Sequence, residues 1–187
     1  MGNQLALIDS HPLIVESSNA STLVLQGEAA TQAWAQALAQ VLQSAPVYRN
    51  TFIALQGELG AGKTTLVRHL LHALGVTGRI KSPTYAVVEP YSVADWAIWH
   101  FDFYRFEDPQ EWEDAGFRDI FASPGLKLAE WPDKAGGLLP PADLTLHLQV
   151  PSQLQSDDAR SLLLSAATPD GQALAALLQH LPQGRVP

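Results

Sequence analysis

The 187-residue chain contains no cysteine. Disulfide scaffolds, thiolate zinc sites and cysteine nucleophiles are therefore excluded. Positive charge is scarce: 11 Lys and Arg stand against 19 Asp and Glu, a formal net charge of −8. That balance argues against a broad basic surface for wrapping nucleic acid, since such binding relies on neutralising phosphates, but it leaves room for a small local basic site. Apolar runs stop far short of the roughly 20 residues a membrane helix needs. No basic residue precedes Arg49, so no charged n-region leads into an apolar stretch and no secretory signal is expected. Ala6 stands where the myristoylation pattern wants Ser or Thr. The expectation is a cytoplasmic chain with no membrane and no DNA contact.

What is present suits a folded core: 47% of residues are hydrophobic and 16% charged, in a length that fits one domain. Residues 1–20 show no clear period and read as a loose extension, leaving residues 21–187 as a single domain without internal repeats. Thr22 to Leu25 is a short strand. Trp34, Ala37, Leu38, Val41 and Leu42 recur at helical spacing, and Pro46 closes that helix. The continuous apolar run Thr51 to Leu55 suits a strand buried on both faces of a mostly parallel sheet. Leu66, Val67, Leu70, Leu71 and Leu74 form a second helical stripe, with Gly75 placed to end it in a left-handed cap.

Further along, Tyr85 to Glu89 and Trp96 to Tyr104 read as antiparallel strands joined by a loop around Ser92 and Asp95. Asp108-Pro109-Gln110-Glu111 carries the signs of a helix start, and Gly116 is the matching stop. Leu126 to Trp131 is another strand, halted by Pro132. Leu144, Leu146 and Leu148 alternate with polar residues as in a half-buried strand. Pro151 to Asp158 is loop-like, Ser161 to Leu164 is a last strand, and Leu174, Leu177, Leu178 and Leu181 mark a terminal helix.

The sharpest local feature is Gly57-Glu58-Leu59-Gly60-Ala61-Gly62-Lys63-Thr64, a full match to G-x-x-x-x-G-K-[ST]. Its glycines let the backbone curl so that successive N–H groups face phosphate oxygens. Lys63 reaches the β- and γ-phosphates, the Thr64 hydroxyl ligates magnesium, and the helix beginning at Lys63 adds its positive dipole end. A buried-type strand enters the motif and an amphipathic helix leaves it, which is the context the motif requires. A nucleoside triphosphate with magnesium is the expected ligand, contacted by residues Glu58 to Thr65. The expected fold is α/β: a P-loop NTPase-like three-layer sandwich with a central mixed, mainly parallel sheet extended by antiparallel strands.

A P-loop needs a carboxylate at a strand end to hold magnesium. Asp102, closing the run Ala97 to Asp102, offers one; the alternative is a strand residue turned to solvent. Glu130, before Trp131-Pro132, is the second, and could orient the attacking water, complete the magnesium shell or be an ordinary rim charge. Glu58, inside the loop, is expected to point outward, away from phosphate charge. Ser82-Pro83-Thr84 follows Arg79 and Lys81 and is either a γ-phosphate-sensing segment or a plain proline turn. His69, His72, His100 and His147 lack metal-ligand spacing and read as ordinary helix or strand positions. Trp99 and Trp112 read as packing residues, and Trp131 as either a packing or a nucleotide contact.

Several segments together resemble one family. Gly57 to Thr65, Lys81-Ser82-Pro83-Thr84-Tyr85, Val88-Glu89-Pro90-Tyr91, His100-Phe101-Asp102-Phe103-Tyr104-Arg105-Phe106 with Asp108-Pro109, and Glu130-Trp131-Pro132 with Leu139-Pro140 are similar to the TsaE family. The resemblance covers about residues 22 to 166. It implies an ATPase, weak alone, of bacterial tRNA threonylcarbamoyladenosine formation. Such a protein acts with the partners TsaD and TsaB, supports their repeated turnover, and meets tRNA only through that complex. Carried over by position, Lys63 holds phosphates, Thr64 and Asp102 hold magnesium, and Glu130 is a second essential acid. Lys63, Asp102 and Glu130 are thus the catalytic set; Thr84 and Trp131 join the nucleotide contacts, and Ser82-Pro83-Thr84 forms a nucleotide-responsive switch. Phe103 replaces the family's usual Leu.

Two other readings stay open on sequence. A P-loop small-molecule or nucleotide kinase would need an arginine-bearing lid, and Arg105 and Arg118 are the only nearby candidates. A nucleotide-gated interaction module would use the same residues with hydrolysis only incidental.

Overall fold

Every side chain from Phe52 to Leu55 is buried, and the strand they form lies inside a seven-stranded sheet. The computed structural model describes residues 22–151 and 158–179. The extension expected over residues 1–20, most of the expected loop after Pro151, and Leu181 lie outside the described residues.

Along the chain the elements are β1 (Thr22–Gln26), α1 (Gly27–Ser44), β2 (Phe52–Gln56), α2 (Lys63–Leu74), β3 (Val88–Val93) and β4 (Trp96–Asp102). There follow α3 (Pro109–Asp114), α4 (Phe117–Ala122), β5 (Leu126–Glu130), β6 (Leu144–Gln149), β7 (Ala159–Ala166) and α5 (Pro169–Gln179). The sheet order is β1-β7-β6-β2-β5-β4-β3. Parallel pairing is confined to the four central strands β6, β2, β5 and β4. At one edge β3 runs antiparallel to β4, and at the other β7 and β1 are added antiparallel. The sheet is therefore mixed, with its parallel part where ligands of α/β sheets gather.

Two cores make this a three-layer structure. On one face, Leu38 and Leu42 of α1, Leu66, Leu70 and Leu71 of α2 and Leu174 of α5 pack on Ile53, Leu55, Ile98, Leu128 and Leu146. On the other, Trp112 of α3 and Phe117 of α4 cover Phe52, Ala54, Phe101 and Ala129. β2 is apolar on both faces because helices lie over both, whereas β6 alternates buried and half-buried residues. Each fully buried leucine or phenylalanine contributes about 1.5–3 kcal/mol relative to exposure. Phe103 is fully buried, stacked 5.5 Å from Phe101 and set edge-on to Phe106 at 5.5 Å, so the aromatic core absorbs its departure from leucine.

The helix signals hold. Asp108 caps α3 by accepting from the N–H of Gln110 at 2.8 Å. Gly75 takes φ 106°, and the N–H groups of Gly75 and Val76 close on the carbonyls of His72 and Leu71. Trp112 packs in the core as expected, and Trp99 is half-buried.

Three local expectations are corrected. The strand expected over Tyr85 to Glu89 starts at Val88 and continues through Ser92 to Val93. The residues before it curl instead: the N–H of Val87 closes on Pro83 O at 2.7 Å and Val87 takes φ 63°. Pro90 is tolerated because β3 is an edge strand, where a missing N–H leaves no ladder bond unmade. α4 has no counterpart in the sequence reading, being too short to show a period. β5 ends at Glu130, because Trp131 is left-handed at φ 56°.

Candidate nucleotide site

β2 delivers Gly57 to the carboxyl edge of the sheet, and the chain turns there into α2. Gly57 has φ 142°, and a Cβ on it would sit 2.2 Å from the Leu148 carbonyl oxygen, so only glycine passes this crossing with β6. Gly62, at φ 99°, immediately precedes α2. From β7, the Arg160 Nε–H donates to Ala61 O at 3.1 Å and braces the outside of the loop.

The loop walls a cavity of about 340 Å³. Leu59, Gly60, Gly62, Lys63, Thr64, Thr65, Thr84, Asp102, Glu130 and Trp131 all line it. Glu58 and Ala61 do not: Glu58 is exposed, as its charge led one to expect, and Ala61 turns into the core. Ser82 and Tyr104 also line it.

Lys63 is only 4% exposed. Its Nζ donates to Gly57 O at 2.6 Å and Glu58 O at 3.0 Å, and sits 3.8 Å from the centre of the Trp131 ring. Burial pushes its amine below the ordinary lysine value, against the opposing pull of Glu130, Asp102 and Glu58. The left-handed backbone of Trp131 places its ring there, and Tyr104 lies 5.0 Å from it.

Asp102 and Glu130 end neighbouring parallel strands and are register partners. The pairing brings together two carboxylates 28 positions apart in sequence, both almost fully buried. Glu130 Oε2 accepts from the Thr64 hydroxyl at 2.9 Å, while Oε1 accepts from His100 Nε2 at 2.9 Å. Asp102 Oδ2 accepts from the hydroxyls of Ser82 and of Thr84, the latter at 2.8 Å, and Oδ1 from the Tyr104 N–H at 2.9 Å. Ser82-Pro83-Thr84 is therefore tied to Asp102.

His100 is the strand position the sequence indicates, and it also bonds to Glu130; Tyr104, which the sequence places only within a motif, lines the cavity. The signal for His100 was its place two residues before Asp102, which puts both on one face of β4.

A hydroxyl and two carboxylates form an all-oxygen donor set, which suits magnesium. Among the described residues no group of three or more His, Cys, Asp or Glu forms a metal cage.

Comparison with known proteins bears on the family. Residues 25–160 match the family described as "Threonylcarbamoyl adenosine biosynthesis protein TsaE". The chain belongs to the TsaE family.

The match runs from β1 to β7, so every TsaE-family motif named above falls inside it. A TsaE of Haemophilus influenzae, a tRNA threonylcarbamoyladenosine biosynthesis protein, is 42% identical over 130 residues, covering 70% of this chain and 79% of that protein. A Bacillus subtilis TsaE is 34% identical over 114 residues, covering 61% of this chain and 68% of that protein. The crystal structure of Bacillus subtilis YdiB superposes with a TM-score of 0.66 at 23% identity, covering 86% of this chain and 94% of that one, and shares the fold.

Proposed function

We propose that this chain is a magnesium-dependent ATPase of the cytoplasm, weakly active alone. It would serve formation of the threonylcarbamoyl group on the tRNA adenosine next to the anticodon, acting with the TsaB–TsaD heterodimer. The observation that carries the reading is the bond from Thr64 on the loop helix to Glu130 at the end of β5, beside Asp102.

On nucleotide binding Lys63 exchanges the carbonyls of Gly57 and Glu58 for phosphate oxygens, while the loop N–H groups hold the remaining phosphate charge. Thr64 and Asp102 would hold magnesium, which when bound neutralises charge on the phosphate oxygens. Glu130, anchored on one oxygen by His100, turns the other from Thr64 toward the attacking water and takes its proton. Water oxygen bonds to the γ-phosphorus as the bond to the leaving ADP oxygen breaks. Ser82 and Thr84 release or hold Asp102 according to the state of the site, so that partners read it through this segment. Contact with tRNA falls to the partner subunits.

Among the described residues no arginine lines the cavity, which supports hydrolysis over transfer to an acceptor held under an arginine clamp. Glu130→Ala and Asp102→Ala test the scheme. Calorimetry should still detect ATP binding, hydrolysis should fall about 100-fold or more, and multiple-turnover modification with TsaB–TsaD should stop. Modification that continues through many cycles would instead favour the nucleotide-gated module. Depletion of the chain should remove the modified adenosine from cellular tRNA.

A further inference from the structure

Beside the nucleotide cavity lies a second cleft of about 430 Å³, lined by Arg68, His72, Arg79, Ile80, Lys81 and Ser82. The chain holds only 11 Lys and Arg, and three of them meet in this cleft. Arg68 and His72 stand four residues apart on α2 and so share a face, while Arg79 and Lys81 come from the segment leading into Ser82. Arg79 and Lys81 are exposed. None of the three cations makes an ion pair with another described residue. His72 joins its Nδ1 to the Val76 carbonyl at 3.0 Å, so Nε2 is the nitrogen left to face a ligand. In a chain of net charge −8, a concave site this rich in unpaired cations is a local reversal of sign.

We infer that this cleft receives a carboxylate-bearing segment of a protein partner, and that its occupancy is felt at the nucleotide site. The inference rests on the partner reading above. Arginine's planar fork pairs with a carboxylate through two parallel bonds, which gives register as well as attraction. An RNA backbone fits less well. Three cations neutralise about three phosphates, a small share of the charge that drives RNA binding, and the acidic remainder of the chain repels a polyanion. The link to the nucleotide is Ser82, which lines both cavities and bonds to Asp102. A segment seated against Arg79 and Lys81 bears directly on the stretch that holds Asp102.

The test compares the full-length chain with its Arg68→Glu/Arg79→Glu double variant. Both are assayed for binding to the TsaB–TsaD heterodimer with ATP and magnesium, with a ten-residue poly-glutamate peptide and a ten-nucleotide single-stranded RNA as competitors. Thermal melting, ATP binding and basal hydrolysis should match in the two proteins. Heterodimer affinity should fall about tenfold or more in the variant, weaken with added salt in the parent, and be competed by poly-glutamate more strongly than by RNA. Equal heterodimer binding by parent and variant would overturn the cleft and leave the partner reading standing. Stronger competition by RNA than by poly-glutamate would overturn the choice of ligand. A parent that hydrolyses ATP yet never binds the heterodimer would overturn the partner reading itself, and the docking site with it.

Discussion

The Nε2–H of His100 donates to Glu130 Oε1 at 2.9 Å, in a pair that is 0% and 2% exposed at its two side chains. His100 Nδ1 is buried and has no hydrogen-bond partner among the described residues. One end of the ring is thus committed to the carboxylate, and the other is buried without a bond among the described residues. A polar residue kept in a core at that cost is there for its one bond. Its consequence is that Glu130 has a single oxygen left to move.

His100 therefore acts as a positioning residue. His100→Leu should lower the rate of ATP hydrolysis about tenfold or more, the size of a lost bond to a charged group. ATP affinity should stay within about twofold, because binding draws on the loop and Lys63. His100→Gln, which restores an N–H donor, should recover most of the rate. Equal damage from both substitutions would reduce His100 to a packing role.

Ser82 and Thr84 together satisfy one oxygen of Asp102. In the double variant Ser82→Ala/Thr84→Ala that oxygen loses its two protein donors, and the 82–87 segment loses its side-chain ties to β4, keeping the backbone bond from the Asp102 N–H to Val87 O. Limited proteolysis should cut this segment at a rate that ATP with magnesium alters in the parent. In the variant the nucleotide should make no difference.

Gly57→Ala places a methyl group against the Leu148 carbonyl oxygen at a backbone angle alanine resists. The expected loss is about 2 kcal/mol or more, seen as a fall in Tm of roughly 5 °C or more. An unchanged melting curve would mean that β2 and β6 part easily at this crossing.

Lys127, on the face of β5 opposite Glu130, is 3% exposed. Its amine donates to Ser123 O and lies 5.3 Å from the centre of the Trp99 ring. Burial pushes it below the ordinary value of 10.5, with Asp143 opposing. Between the lowered value and 10.5 the unfolded chain binds more protons than the folded one, so folded stability rises with pH through that window. Urea midpoints measured from about pH 7 to 10 should climb more steeply in the parent than in Lys127→Met. Parallel profiles would remove Lys127 as the cause.

The order of elements was largely legible because it follows from local periodicity. The buried run before Gly57, the stripe from Leu66 to Leu74 and the cap at Asp108 each show within a dozen residues. The missed features are those that contacts decide. Tyr85 to Val87 has strand-like residues, yet it curls where Ser82 and Thr84 hold Asp102. Trp131 looks like the next residue of a strand, yet it turns left-handed and lays its ring over Lys63.

Residues 57 to 64 determined by themselves that a glycine-rich loop of the G-x-x-x-x-G-K-[ST] pattern forms between strand and helix, because every part of that loop lies within one short stretch of backbone. Only the tertiary structure decided what faces it. Strand register set Asp102 beside Glu130 and brought His100 within bonding distance of Glu130, and the return of β7 brought Arg160 to the back of the loop. Those juxtapositions join residues 28 to 99 positions apart. Pairing across a sheet is fixed by the packing of both faces together, which no local window of sequence contains.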